Sequence, residues 1–408
     1  MKGVLVIIDG LGDLPNRQLN GKTPLEAANK SHLDYLASKG KLGEMYSINE
    51  KIIPESDTAI LAILGNKILG SYRGQLEALG TNAGMRKGDL ALRTNFATVD
   101  NMKNKRIIDR RAGRTLTTKE AKILSDTVNE NVKLPCKYLF KNTIQHRGVL
   151  VLKGGFSDNI TNTDPAYHSK KDSDKFKFSQ PLDDDENSKF TANVVNEFIE
   201  ESNKILEKHP INQKRKKKGL MPANILLTRD ASTNFPDLKK FRKWASVSYM
   251  PLEIGISKAS GMKVFDFEYP RMKSYDVYHN LYKGLKKAIK FSIKMIKRNY
   301  KDFSYFYIHF KETDVPGHDN KPNEKKAMIE FLDRKFFKFL RKFAEKRKIK
   351  VIVTGDHATP CKLKSHSADP IPLLLCDWQE DEEKVFGENQ AKKGKLGKLY
   401  GKDVAELF

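Results

Sequence analysis

The sequence predicts an α/β protein, a mostly parallel sheet with helices on both faces and a smaller α/β unit inserted into it. Short apolar runs suited to buried parallel strands alternate with helical stretches along most of the chain. Two long stretches are apolar on one side only: Leu281, Leu285, Ile289, Ile293 and Ile296 in the first, and Met328, Ile329, Leu332, Phe336 and Leu340 in the second. That is the 3.6-residue period of a helix lying on a core. The texture then changes between about residues 97 and 190, where β-like runs at 95–99 and 148–153 surround one helix near 118–129. That segment ends in a polar stretch, 170–187, rich in Asp, Ser and Lys, as a mobile connection would be. Residues 1–96 and 191–408 are therefore assigned to a discontinuous core, and 97–190 to the insertion.

Taken in order, residues 4–8 form the first strand. Asp9 follows five apolar residues directly and no small-residue cleavage site is present, which argues against a signal peptide. Thr23-Pro24-Leu25-Glu26 reads as a capping box with proline at the first helical position, and Gly40 is expected to close that helix. A short apolar helix is expected from Asp57 to Leu64, stopped by Gly65, with Ser56 just before its first turn. Runs at 223–227, 305–310 and 350–354 suit buried parallel strands, each followed by polar or Gly residues. Loops at the C-terminal ends of such strands are where α/β enzymes place chemistry.

Composition narrows the function classes. A chain of 408 residues with 39% hydrophobic residues, 22 Phe and 14 Tyr can bury a large interior and is not compositionally disordered. Its longest apolar runs fall far short of the ~18 residues of a membrane span, so no membrane partner is expected. Cys136, Cys361 and Cys376 show no zinc-type spacing and fit a reducing cytoplasm, the expected location. The net charge of +24 invites a nucleic-acid reading, but lysines are scattered over nearly every helical stretch. The one dense run, 214–218, lies between a helix and a strand without interleaved aromatics and reads as a solvated loop. No nucleic-acid partner is expected; phosphorylated small molecules would profit from the same field, and a homo-oligomer is compatible with the composition.

The acids, histidines and hydroxyls at strand ends are the candidates for chemistry. Asp9 follows the first strand, Ser56 stands at a helix start, and Asp314 and His318 lie in Thr313-Asp314-Val315-Pro316-Gly317-His318. Asp356 and His357 follow the apolar run 351–354, and His366 comes soon after. Singly, each has a plainer reading as a cap, a turn pair or a hydrogen-bonded loop histidine. Together, three carboxylates, three histidines and a serine are what two adjacent divalent cations require, because each ion needs several anionic or imidazole ligands. A serine hydroxyl is a poor nucleophile until coordination lowers its pKa, and a helix N-terminus favours a phosphate beside it.

That order of residues resembles the alkaline phosphatase superfamily and, more narrowly, the archaeal-type 2,3-bisphosphoglycerate-independent phosphoglycerate mutases. The resemblance is carried by Val6-Ile7-Ile8-Asp9-Gly10-Leu11-Gly12-Asp13, Thr23-Pro24-Leu25-Glu26-Ala27-Ala28, Glu55-Ser56-Asp57-Thr58-Ala59, Asn95-Phe96-Ala97-Thr98-Val99-Asp100, Asp109-Arg110-Arg111-Ala112-Gly113-Arg114 and Thr354-Gly355-Asp356-His357-Ala358-Thr359-Pro360-Cys361. It implies an alkaline phosphatase-like core. It also implies one metal held by Asp9, Ser56, Asp356 and His357 and another by Asp314, His318 and His366, with Ser56 transiently phosphorylated. Manganese is the expected metal, and zinc, cobalt or magnesium suit the same donors. The insertion would grip the substrate through Arg110, Arg111 and Arg114, since guanidinium forks bind carboxylate and phosphate alike. Arg229 and Lys311 are the candidates from the core side, Lys311 with a catalytic role.

The activity this implies is interconversion of 3-phosphoglycerate and 2-phosphoglycerate, without 2,3-bisphosphoglycerate. Two stretches depart from the family pattern: Arg229-Asp230-Ala231-Ser232 stands where Arg-Gly-Ala-Gly is usual, and Phe265-Asp266-Phe267-Glu268-Tyr269-Pro270 replaces a small Gly-rich loop. Neither touches an implied metal ligand. The rival readings are a phosphomonoesterase or phosphodiesterase on the same metal core and a basic nucleic-acid-binding protein.

Overall fold

The computed structural model describes residues 1–68, 72–165, 174–234, 236–271, 276–379 and 385–408. Along these the strands are β1 (Gly3–Ile8), β2 (Gly40–Tyr46), β3 (Leu90–Val99), β4 (Ile107–Asp109), β5 (Tyr138–Asn142), β6 (Arg147–Leu152), β7 (Ile225–Ser232), β8 (Trp244–Val247), β9 (Lys263–Phe265), β10 (Tyr305–Phe310), β11 (Lys350–Thr354), β12 (Ile371–Cys376) and β13 (Gly397–Tyr400).

The core sheet has the order β13-β2-β12-β11-β1-β10-β8-β9 and is parallel except where β12 runs against β11 and β2. Every residue of β1 is buried, as a central strand covered on both faces requires. β10 and β11 flank β1 in register, Ile8 beside Phe310 and Ile7 beside Thr354, so the C-terminal ends of all three open at one edge. The helix expected around Leu281–Ile296 spans Val277–Asn299, with Leu285, Ile289 and Ile296 buried. The second stripe is continuous from Pro322–Leu332 through a π turn at Asp333–Phe337 into Lys338–Glu345, and its five named apolar residues are all buried.

The second sheet is antiparallel, β4-β3-β6-β5 with β7 along the other side of β3. It has its own hydrophobic core, in which Phe96 and Phe140 meet Phe198 and Leu226. The run expected at 223–227 as a parallel core strand is thus β7, antiparallel to β3: burial on both faces gave it the look of a parallel strand. β3 begins before residue 97, and both the helix Glu186–Lys208 and β7 extend past residue 190, so the layer is longer at both ends than 97–190.

Local expectations shift in three other places. The capping box forms at Thr23, but the helix lasts only Pro24–Ala27; a second helix, Ser31–Ala37, starts where Asp333 accepts the backbone N–H groups of His32 and Leu33. Gly40 belongs to β2, where a Cβ would lie 2.1 Å from the Leu375 carbonyl oxygen. The basic run at 214–218 is mostly helical, the end of Pro210–Lys217, with Arg215 buried and donating to Met221 and Thr115. Lysines gathered at a helix C-terminus suit its dipole. Of the polar stretch 170–187, residues 170–173 lie outside the described residues.

Candidate active site

The site sits at the edge where β1, β10 and β11 end. β1 delivers Asp9, β10 delivers Lys311 and then the short helix Asp314–His318, and β11 leads through Gly355 into Asp356 and His357. Gly10 makes the turn after Asp9 with φ +62, and a Cβ there would lie 2.6 Å from Thr359 Oγ1 and 2.9 Å from Asp314 Oδ1. Only glycine lets these loops close on one another.

The helix begins one residue earlier than expected: Ser56 is the first residue of Ser56–Ile63, and Glu55 is its N-cap. Glu55 makes no side-chain capping bond, and the Ser56 Oγ lies 3.2 Å from His357 Nε2. That nitrogen stands 3.2 Å from Asp9 Oδ1 and 3.4 Å from Asp356 Oδ2. His318 Nε2 lies 3.3 Å from Asp314 Oδ2, and His366 Nε2 lies 3.8 Å from Asp314 Oδ1. The geometry therefore brings together all seven residues that the resemblance implied as ligands. The His357 and His366 rings stack at 3.7 Å. Thr359 Oγ1 bridges the two groups, 3.0 Å from His357 Nδ1 and donating to Asp314 Oδ1 at 2.8 Å.

Electrostatics reflect this crowding. Burial raises the Asp356 carboxyl to about 7, with the charge of Asp9 adding to it. Burial acts on Asp9 in the same sense, but Lys311 and His357 hold it below the usual carboxylate range. Burial would lower His357, yet Asp356 and Asp9 lift it to about 9; burial and the His357 charge bring His366 down to about 4. Lys311 is buried too, but its ion pairs with Asp9 and Glu253 raise its pKa and keep it charged.

The donors fit divalent cations. Asp314, His318 and His366 form one group with ligand atoms within 4.8 Å of one another, Asp9, Asp314 and His357 a second, and Asp9, His309 and Asp356 a third. His309 Nε2 and Asp356 Oδ2 are buried, make no well-aligned hydrogen bond, and face each other at 3.8 Å. Uncompensated carboxylates and imidazoles of this kind are what a cation satisfies. His309 was not a sequence candidate: a histidine inside an apolar strand reads as core, and only its register beside Ile7 brings it to Asp9.

Opposite Ser56, a cleft of about 180 Å³ is walled by Arg73, Arg93, Arg111, Arg147, Arg229 and Lys311. Sheet register builds this wall. Arg93 and Arg229 are cross-strand partners, and Arg147 pairs with Asn95, two residues along from Arg93. All three side chains therefore share a face. Burial, reinforced by Arg114, Arg147 and Arg110, pushes the Arg111 guanidinium down to about 9, and burial with Arg229 and Arg73 pushes Arg93 well down. Glu77 offsets part of this charge, 3.1 Å from Arg73 Nε and 3.4 Å from Arg93 Nε. Buried like charges held in this way are relieved by an anion.

The arginines expected to grip substrate separate. Arg111 lines the cleft. Arg110 is turned inward, its Nε 2.8 Å and Nη2 2.7 Å from Asp164 Oδ1, and Arg114 pairs with Asp319. Arg229 reaches the cleft wall with Asp230 Oδ2 at 3.6 Å, so the extra acid of that stretch, which lies within β7, stands next to it; Asp230 takes a left-handed φ of 57, where glycine is usual in the family. From the second departing stretch, Tyr269 enters the cleft wall and donates to Glu312.

Comparison with known proteins places the chain in a family. The profile of the family described as 2,3-bisphosphoglycerate-independent phosphoglycerate mutase matches residues 37–212. The chain is 39% identical to the protein of that name from Pyrococcus furiosus and 37% identical to that from Methanosphaera stadtmanae, in each case over 100% of this chain, and over 96% and 97% of theirs. Among solved structures, a Pyrococcus horikoshii protein superposes with a TM-score of 0.76 at 33% identity, covering 100% of this chain and 96% of that one. The cofactor-independent phosphoglycerate mutase of Thermoplasma acidophilum superposes with a TM-score of 0.56 at 29% identity, covering 100% and 99%. With full-length identity at this level and the same fold, the chain belongs to the 2,3-bisphosphoglycerate-independent phosphoglycerate mutase family.

Proposed function

We propose that this protein interconverts 3-phosphoglycerate and 2-phosphoglycerate in glycolysis and gluconeogenesis, in the cytoplasm, through a phosphoserine at Ser56 and without 2,3-bisphosphoglycerate. The observation that carries the reading is the placement of Ser56: its hydroxyl stands beside His357 in the first turn of a helix and lines the same cleft as a wall of arginines. Divalent cations held by Asp9, Ser56, Asp356 and His357 and by Asp314, His318 and His366, manganese being our choice, would lower the Ser56 pKa and neutralise phosphoryl charge. Arg111, Arg229 and the neighbouring Arg93 and Arg147 bind the carboxylate and phosphate of the substrate. Lys311, held charged by Asp9 and Glu253, supplies a fixed positive charge at the reacting end. Ser56 Oγ takes the phosphoryl group, glycerate turns within the enclosed cleft, and its other hydroxyl takes the group back. Water must be excluded meanwhile, or the phosphoserine hydrolyses.

The test is to supply 3-phosphoglycerate without 2,3-bisphosphoglycerate, quench in acid, and map phosphate on the peptides, with the metal content of the same preparation measured. Phosphate on Ser56 and formation of 2-phosphoglycerate are expected. Release of phosphate and glycerate alone would favour the phosphatase reading.

A further inference from the structure

Arg114 lies in the turn Ala112–Arg114, where three successive residues have positive φ, 46 at Ala112, 67 at Gly113 and 54 at Arg114. Two of them are not glycine, so the conformation is strained and must be held by its surroundings. The inserted layer braces it: Asp109 Oδ1 accepts from the N–H groups of Arg111 and Gly113, and Arg215 donates to the Ala112 carbonyl. The braced turn carries Arg114 beside the cleft, to a smaller cavity that shares Arg111, Arg147, Tyr269 and Leu281 with it. There its Nη1 donates to both oxygens of Asp319, at 2.9 and 3.0 Å, and Tyr278 donates to the same carboxylate at 3.0 Å. Asp319 follows His318 directly, and its own N–H donates to Val315 within the helix Asp314–His318.

We propose that Arg114 is a positioning residue rather than a substrate ligand. Through Asp319 it latches the inserted layer to the helix bearing Asp314 and His318, and it keeps the cleft shut while the phosphoryl group is on Ser56. The proposal rests on the mutase reading for its catalytic consequence only. With the latch open, a water oxygen attacks the phosphorus of phosphoserine and the P–Oγ bond breaks. Inorganic phosphate leaves, and Ser56 regains its hydroxyl proton from that water. The two side chains, 28% and 23% exposed, are reachable enough to exchange partners as the cleft opens and shielded enough to hold when it is closed.

The experiment compares the full-length protein with Arg114→Gln, Asp319→Asn and the double variant. The ratio of phosphate release to 2-phosphoglycerate formation is measured, together with hydrogen exchange of segments 112–116 and 314–320 without substrate. A latch predicts a ratio raised about ten-fold in each single variant and no further in the double, because both changes open one contact. It also predicts faster exchange at 314–320 in Arg114→Gln and at 112–116 in Asp319→Asn. Single effects that multiply in the double would show Arg114 acting on substrate itself and would overturn the proposal, as would exchange in the partner segment that does not change. A wild-type protein that forms no 2-phosphoglycerate would overturn the mutase reading instead, with the exchange result still deciding the latch.

Discussion

Lys325 Nζ donates to Asp13 Oδ2 at 2.8 Å with both side chains wholly enclosed, and the same ammonium reaches the carbonyls of Gly12 and Thr359. Asp13 in turn accepts from the Cys361 N–H. This ion pair pins the loop after β1 to the loop after β11, the two that carry Asp9 and His357. Lys325→Met should leave a buried charge without its partner and destabilise the protein by roughly 3–5 kcal/mol. Asp13→Asn added to it should recover part of that loss, measured by urea denaturation; equal stability of Lys325→Met and wild type would contradict the assignment.

Ser56→Ala should reduce mutase flux by on the order of a thousand-fold or more, since the nucleophile is lost. Because Glu55 holds the N-cap position and Ser56 lies inside the first turn, the melting temperature should stay close to that of wild type. A loss of stability comparable to that of an N-cap deletion, about 1 kcal/mol, would mean that the hydroxyl serves the helix after all.

Arg110 and Arg111, adjacent in sequence, should respond oppositely. Arg110→Ala leaves the buried Asp164 carboxylate without its guanidinium, although Asn95 still donates to Oδ2, and should lower stability by roughly 3 kcal/mol. Arg111→Ala removes a charge that its neighbours repel, so stability should hold or rise while KM for 3-phosphoglycerate increases about ten-fold or more. Thermal melts and steady-state kinetics on the same two preparations separate the roles.

Glu312 gives a pH signature. Burial raises its carboxyl to about 7 against the hydrogen bonds from Tyr249 and Tyr269, whereas the unfolded chain ionises near 4.5. Between those values the folded state holds a proton that the unfolded state has lost, so stability falls as pH rises from about 4.5 to 7 and then levels. The penalty above pH 7 is on the order of 3 kcal/mol. Glu312→Gln should therefore gain stability over wild type at pH 8 and little at pH 5; parallel pH–stability curves would exclude this origin.

Chelation should inactivate the enzyme reversibly. His318→Ala and His366→Ala should each lower occupancy at the same position, the one built on Asp314, and this is read as metal stoichiometry by elemental analysis of dialysed protein. Full stoichiometry in either variant would remove that histidine from the ligand set.

By itself, the sequence determined the elements and the chemistry at strand ends. Five apolar residues followed by Asp9, the Thr23 capping box and the Asp356-His357 pair after an apolar run are local patterns, and local patterns are written in contiguous residues. The three-dimensional arrangement alone decided what depends on partners distant in the chain. β7 looked like a core strand until pairing with β3 placed it in the second sheet, and that same register put Arg93 beside Arg229. His309 became part of the site because β10 lies in register with β1. Arg110, Arg111 and Arg114 look alike in sequence, yet one is paired with the buried Asp164, one faces the cleft and one crosses to Asp319. A side chain's role follows from the charge it meets, and that charge is contributed by residues tens to hundreds of positions away, which only the packed fold brings within reach.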